Sequence, residues 1–274
     1  MKRSTPPVML TDQLSPLPLD ATWIPRALLL SEEAGWNQNA ADWEVFLRHG
    51  TVLGFSIGDR LVATAAALPY GDTFGWISMV LVTAEWRRHG LATRLVAACT
   101  ALLRDAGRAA LLDAAPAATA IYAALGFIPV GTLERWEGHG GGSIAATAPA
   151  NLALDHFAFG ADRCFLLENF LSRPRSLAFG SPRGFAILRQ GSLASHLGPI
   201  VAEPAEAQAL LIEGIRAASG RVVVDVLDAG KVLIPTLTAL DFRRLRCFTR
   251  MALGLAVLPG NPSQLMAAAG PEFG

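Results

Sequence analysis

Two arginines, a histidine and a glycine fall together at Arg87-Arg88-His89-Gly90, followed by Leu91-Ala92. The chemistry that suits those residue types is the binding of a phosphate. Arg87 and Arg88 bring fixed positive charge, and Gly90 lets the backbone approach an anion closely. The turn opens a helical pattern, where the first backbone N–H groups lack intrahelical partners and the helix dipole favours negative charge. A solvated basic turn is the plain alternative, and the glycine spacing argues against it.

Two elements must position this turn. Trp76 to Val82 reads as an apolar strand, and Leu91, Leu95, Val96, Cys99, Leu102 and Leu103 recur as on one face of a helix. Upstream, Val8 to Leu10 reads as a strand. Ala21 to Glu33 and Trp43 to Arg48 read as helices, the second with Asn39 or Asp42 as its cap. Thr51 to Ile57 and Arg60 to Leu68 form a hairpin about Gly58-Asp59. Downstream come a strand over Arg108 to Ala114, a helix over Pro116 to Leu125 and a strand from Gly126-Phe127 to about Trp136. This order predicts an α+β fold with a mixed sheet.

Gly138 to Ala150 (GHGGGSIAATAPA) is small, polar and aperiodic, which predicts a linker. The expected domains are therefore residues 1–137 and 151–274, joined by 138–150. In the second, helices are expected over Ala161 to Leu171 and Pro204 to Ser219. Strands are expected over Ser176 to Phe179, Phe185 to Gln190, Ala194 to Val201, Arg221 to Val226 and Cys247 to Leu253. Lys231 to Leu240 reads as a helix or an irregular segment. The element order of the first half returns, which points to duplication.

Composition narrows the function classes. In 274 residues, 52% are hydrophobic and 17% charged, which predicts a well-buried chain rather than a disordered one. The 23 basic residues balance 23 acidic ones, so no overall field recruits nucleic acid or an anionic membrane. Mean hydropathy is +0.37, yet Arg94, Arg104 and Asp113 interrupt the apolar runs before they reach a spanning length. Cys99, Cys164 and Cys247 lack ligand or disulfide spacing, so buried thiols and a cytoplasmic location are expected, and no metal. Asp162-Arg163 is expected to form a structural ion pair or cap.

The turn fits a pattern of Gln or Arg, any two residues, Gly, any residue, then Gly or Ala. In this form it resembles the acetyl-CoA pyrophosphate loop of GNAT acetyltransferases. Ala120-Ile121-Tyr122-Ala123-Ala124-Leu125-Gly126-Phe127 resembles that family's second motif, a tyrosine helix followed by LGF. The chain also resembles tandem GNAT proteins, with a full domain followed by a degenerate GNAT-like one. That likeness rests on Ala34 to Gln38, Phe159 to Arg163, His196 to Ala202, Thr249-Arg250-Met251 and Ala269 to Glu272.

The resemblance implies two copies of a mixed, mostly antiparallel sheet flanked by helices, with acetyl-CoA as co-substrate. It places pantetheine beside Val80-Leu81-Val82, with the Leu81 N–H as the oxyanion donor, and the pyrophosphate on Arg87, Arg88, His89, Gly90, Leu91, Ala92 and Thr93. Tyr122 falls where the family's general acid protonates the leaving thiolate. Trp36 and Asn37 lie in the segment covering the acceptor. Many GNAT enzymes carry a glutamate on the central strand; here Ser78 and Met79 stand instead. Asp113 and Asp225 remain as candidates for a catalytic or acceptor-binding carboxylate. Ala202-Glu203-Pro204-Ala205-Glu206 has no glycine or arginine, so the second half is expected to bind no acetyl-CoA. It is expected instead to wall the acceptor pocket, contact the first domain or form a homodimer. The function expected is acetyl transfer to a small-molecule amine, against the alternative of a CoA-binding sensor without transferase activity.

Overall fold

The computed structural model describes residues 14–143 and 147–274; the expected strand Val8 to Leu10 lies outside them. The chain divides into two compact units, one ending at Ala110 and the other starting at Leu111.

The first unit is an antiparallel meander with helices. β1 (Leu17–Pro18) leads through a single turn, Ala21–Trp23, to α1 (Ile24–Glu33), which has a proline in its first turn. α2 (Ala40–His49) begins with a capping box. The Asn39 N–H donates to Asp42 at 3.0 Å, and the Asp42 N–H donates back to Asn39 Oδ1 at 3.1 Å. β2 (Thr51–Ile57), β3 (Arg60–Tyr70) and β4 (Phe74–Val82) then pair in sequence order. After a short turn at Ala84–Trp86, α3 (Leu91–Asp105) packs Leu91, Leu95, Val96, Cys99 and Leu103 inward against β3 and β4. Gly75 makes room for that packing, since a Cβ there would lie 2.4 Å from Leu103.

β5 (Ala109–Ala114) carries the chain into the second unit, which contains α4 (Thr119–Ala124), β6 (Ile128–Gly141), α5 (Leu152–Phe159) and α6 (Cys164–Ser172). β7 (Leu177–Ser181), β8 (Gly184–Gln190), β9 (Ser195–Ala202), α7 (Pro204–Ala217) and β10 (Ser219–Leu227) follow. A turn over Ala229–Leu233, α8 (Ile234–Ala239), β11 (Arg243–Leu253) and β12 (Leu265–Ala267) complete it. The strand order is β5-β11-β6-β10-β12-β9-β8-β7, with β9 and β10 parallel, so the sheet is mixed. One face packs Leu197, Leu211, Val222, Val224 and Trp136 into an apolar core with α7. The fold is thus α+β, as the element order requires.

Four readings are corrected. Gly138 to Gly141 is strand, not linker: β6 runs to Gly141 and pairs with β10 from Gly141↔Ser219 to Leu133↔Leu227. Its glycines admit neighbours, because a Cβ on Gly138 would lie 2.3 Å from the Phe242 ring and one on Gly140 would lie 2.1 Å from the Ala218 carbonyl oxygen. β6 also pairs with β11, so it sits inside the second unit. α5 and β12 had no sequence signal strong enough to be read. The Asp162-Arg163 pair is split: Arg163 binds Asp155 through two bonds at 2.8 and 2.9 Å, and Asp162 accepts the Cys164 N–H. Of the cysteines only Cys99 is buried, and burial pushes its thiol up to about 12; Cys164 and Cys247 lie at partly open positions on α6 and β11. No described helix is long and apolar enough to cross a membrane.

Replacing Gly140 by alanine should lower stability by about 1–3 kcal/mol through the clash with Ala218. His139→Ala, at an exposed site on the same strand, should stay within about 0.5 kcal/mol of wild type. Urea unfolding of both variants distinguishes this strand from a linker, in which both changes would be neutral.

Candidate functional site

The first unit brings a distorted strand and an open helix start together along the chain. β3 and β4 pair as Ala66↔Ser78 and then Thr64↔Leu81, so Met79 and Val80 both face the single residue Ala65. This is a β-bulge. Met79 takes φ +52°, in the left-handed region, and the buried Thr64 hydroxyl donates to its carbonyl at 2.8 Å. Beyond the bulge, Val80 and Val82 are half-buried and Leu81 is buried.

The basic turn follows. Arg88 and Gly90 both have positive φ, at +66° and +75°, and nothing lies within 4 Å of a Cβ built on Gly90. Gly90 is the N-cap of α3, without a side-chain cap and without an acidic residue in the first turn. The Arg94 N–H bonds back to the Gly90 carbonyl at 3.1 Å, so the N–H groups of Leu91, Ala92 and Thr93 precede the first intrahelical bond. Arg88 is exposed, whereas Arg87 donates from Nε to the Val82 carbonyl at 3.0 Å and ties the turn to the strand end. These features fit a pyrophosphate. The corresponding helix of the second unit does not share them. α7 starts with Glu203 as N-cap and Glu206 in its first turn, where Glu206 accepts from the Ser181 hydroxyl and the Arg183 N–H. Trp36 and Asn37 are half-buried between α1 and α2.

In the second unit Asp113 and Asp225 are drawn into a buried row of ionisable groups. The row crosses successive strands on the sheet face opposite the apolar core of α7, since Trp136, Leu188, Leu197 and Val224 on that core alternate with Arg135, Arg189, His196 and Asp225. Asp113 on β5 accepts two bonds from Arg250 on β11, at 2.9 and 2.8 Å. Asp225 on β10 accepts two from Arg135 on β6, at 2.8 and 2.7 Å. His196 on β9 reaches Asp225 through Nε2 at 2.9 Å, and Arg189 on β8 meets Glu272 at 3.3 Å. Three arginines (135, 189, 250) face three carboxylates (113, 225, 272), so charge balances with His196 neutral.

Burial raises the Asp113 carboxyl, against the pull of Arg250 and with added repulsion from Asp225. Burial acts on Asp225 in the same sense, but Arg135 and His196 outweigh it and hold that carboxyl well below its ordinary range. Burial, with Arg189 nearby, takes His196 down to about 4, so it is neutral at pH 7 and its Nε2 carries the proton given to Asp225. Tyr122 packs against Phe127 with ring centroids 6.2 Å apart, and burial pushes its hydroxyl up to about 12. Arg135, Arg189, His196, Arg250 and Glu272 were not recognised from the sequence as one group. Arg189 and His196 stood as charges in apolar strands, and His196, Arg250 and Glu272 lay within segments that carried the tandem resemblance.

A histidine whose folded pKa is depressed binds protons more tightly when unfolded. The stability tied to His196 is therefore fully present above about pH 6.5 and lost as pH falls toward 4, by about 3 kcal/mol in all. Urea unfolding across that range should show the loss, and His196→Asn should remove that part of the slope.

Comparison with known proteins agrees with this geometry. Residues 21–127 match the acetyltransferase (GNAT) family, and residues 152–267 match an acetyltransferase (GNAT) domain. An uncharacterized N-acetyltransferase of Bacillus subtilis, YitH, is 23% identical over 237 residues, covering 79% of this chain and 83% of that protein. A putative acetyltransferase from Pyrococcus horikoshii shares the fold at TM-score 0.82 and 17% identity, over 95% of this chain and 96% of its own. A tandem GNAT protein from the clavulanic acid biosynthesis pathway does so at TM-score 0.58 and 15% identity, over 88% of this chain and 98% of its own. With one match in each half, the chain belongs to the GNAT acetyltransferase family, as an acyltransferase with two GNAT domains in tandem.

Proposed function

We propose that this acyltransferase moves an acetyl group from acetyl-CoA to the amine of a small molecule, by direct attack with both bound. The observation that carries the reading is the open turn at Gly90, where three helix N–H groups precede the first intrahelical bond, the first turn holds no acidic residue and Arg88 is exposed. Residues Arg87 to Thr93 hold the pyrophosphate. The strand end Val80-Leu81-Val82 offers backbone groups to pantetheine as an added strand would, and the Leu81 N–H polarises the thioester carbonyl. Bound acetyl-CoA supplies the acetyl group already activated as a thioester. Tyr122 keeps its proton at neutral pH, which suits a donor to the departing sulfur.

Trp36 and Asn37 contact the acceptor. Asp113 and Asp225 are each held by an arginine through two bonds, so they serve the second unit's interior rather than deprotonating the amine. The second domain binds no acetyl-CoA, because Glu203 and Glu206 occupy the helix start where a phosphate would sit. A second reading, a CoA-binding sensor without transfer, is favoured by β4 carrying no carboxylate from Phe74 to Val82.

Thiol release from acetyl-CoA against primary alkylamines, arylalkylamines, polyamines and amino-acid amides separates the two readings. Transfer to at least one class is expected, while binding without release from any would leave the sensor. Tyr122→Phe should lower kcat by about 10²-fold with little change in acetyl-CoA affinity. Wild-type turnover in that variant would remove Tyr122 from the mechanism.

A further inference from the structure

The β4 bulge is flanked by two hydroxyls with different standing. Thr64 is fully buried, and its hydroxyl is spent on the Met79 carbonyl. Ser78, immediately before the bulge, sits among Trp76, Ile77 and Met79, each no more than 2% exposed. Its Oγ is buried and has no hydrogen-bond partner among the described residues. A buried hydroxyl without a partner costs stability, and a strand this apolar has no packing need for one. Such a group calls for a reason, and a ligand that comes and goes is one.

Two further facts orient it. A Cβ on Gly75 would touch Leu103 of α3, so Gly75 and Ile77 point toward the helix whose start forms the phosphate turn. By strand alternation Trp76 and Ser78 point away from it. Ser78 keeps 8% exposure as a residue, and its χ1 has two further staggered positions open in principle to the hydroxyl. It stands one residue before the left-handed Met79, three before the Leu81 N–H.

We propose that Ser78 Oγ accepts a hydrogen bond from the attacking amine and aims its lone pair at the thioester carbon. The assignment rests on the transferase reading and adds to it the group on the acceptor side. A serine hydroxyl is too weak a base to remove the amine's proton, so the amine arrives neutral. Its nitrogen bonds to the carbonyl carbon, the carbon–sulfur bond breaks, and its electron pair leaves on sulfur. Sulfur takes the proton of Tyr122, the new amide nitrogen releases its extra proton to water, and Tyr122 is reprotonated from solvent. The acceptors are accordingly primary amines with a substantial neutral fraction at working pH, and kcat/KM rises with pH as the acceptor's ammonium form loses its proton.

The test compares Ser78→Ala and Thr64→Val in the full chain, with acetyl-CoA and the amines named above. Ser78→Ala should lower kcat/KM for the amine by about 10²-fold and leave the KM for acetyl-CoA unchanged. Its Tm should be unchanged or raised by about 2 °C, because it removes an unsatisfied hydroxyl. Thr64→Val should lower Tm, which shows what losing a structural hydroxyl looks like here. A fall in Tm for Ser78→Ala matching that of Thr64→Val, or unimpaired transfer, would overturn the assignment. So would a pH limb that stays fixed between two amines of different pKa. If wild type binds acetyl-CoA yet releases no thiol with any amine, the transferase reading itself fails, and this assignment with it.

Discussion

Met79 and Val80 share the place opposite one residue of β3, and the Thr64 hydroxyl holds the carbonyl of the first. A side chain in the left-handed region costs about 1–3 kcal/mol unless its surroundings fix it, so this hydrogen bond and the packing around it maintain the distortion. A regular β4 would spend its backbone groups and its alternation evenly on β3. The bulge shifts the alternation by one residue at the point where Val80-Leu81-Val82 begins, and Arg87 then ties the following turn to the Val82 carbonyl. Strand end, turn and helix start are thus one continuous piece whose geometry depends on a single buried side chain on the neighbouring strand.

The second unit solves a different problem. Its sheet has one apolar face, packed on α7, and one face crossed by charge. Burying three arginines is tolerable because each meets a carboxylate, two of them through paired bonds, and because His196 stays neutral between them. The same arrangement engages both carboxylate oxygens of Asp113 and of Asp225 with an arginine. At α7, Glu203 and Glu206 stand at the helix start, whereas the first turn of α3 holds no acidic residue. The two GNAT domains thus differ in charge at the starts of α3 and α7.

Much of this was legible in the residues. The turn at Arg87 to Ala92 declares itself through glycine and charge, and the apolar periodicity from Leu91 to Leu103 gave α3 on the expected face except for Leu102, which is exposed. The bulge was not legible, because WISMVLV is evenly apolar and Met79 carries no mark of its left-handed backbone. Nor were the pairs Asp113–Arg250 and Asp225–Arg135, whose members lie far apart in sequence and meet only once the strand order is known. The glycines from Gly138 to Gly141 misled for a physical reason. Glycine signals either flexibility or close approach, and the two look alike until Phe242 and Ala218 are seen against them.

We propose the bulge, the turn and the start of α3 as the donor site, without a counterpart in the second domain. Calorimetric titration of acetyl-CoA into the full chain and into Gly90→Val tests it most directly. The expected result is one molecule bound per chain, with affinity at least tenfold weaker once a branched side chain is forced onto the positive φ of residue 90. Two molecules bound per chain, or equal affinity in Gly90→Val, would contradict it.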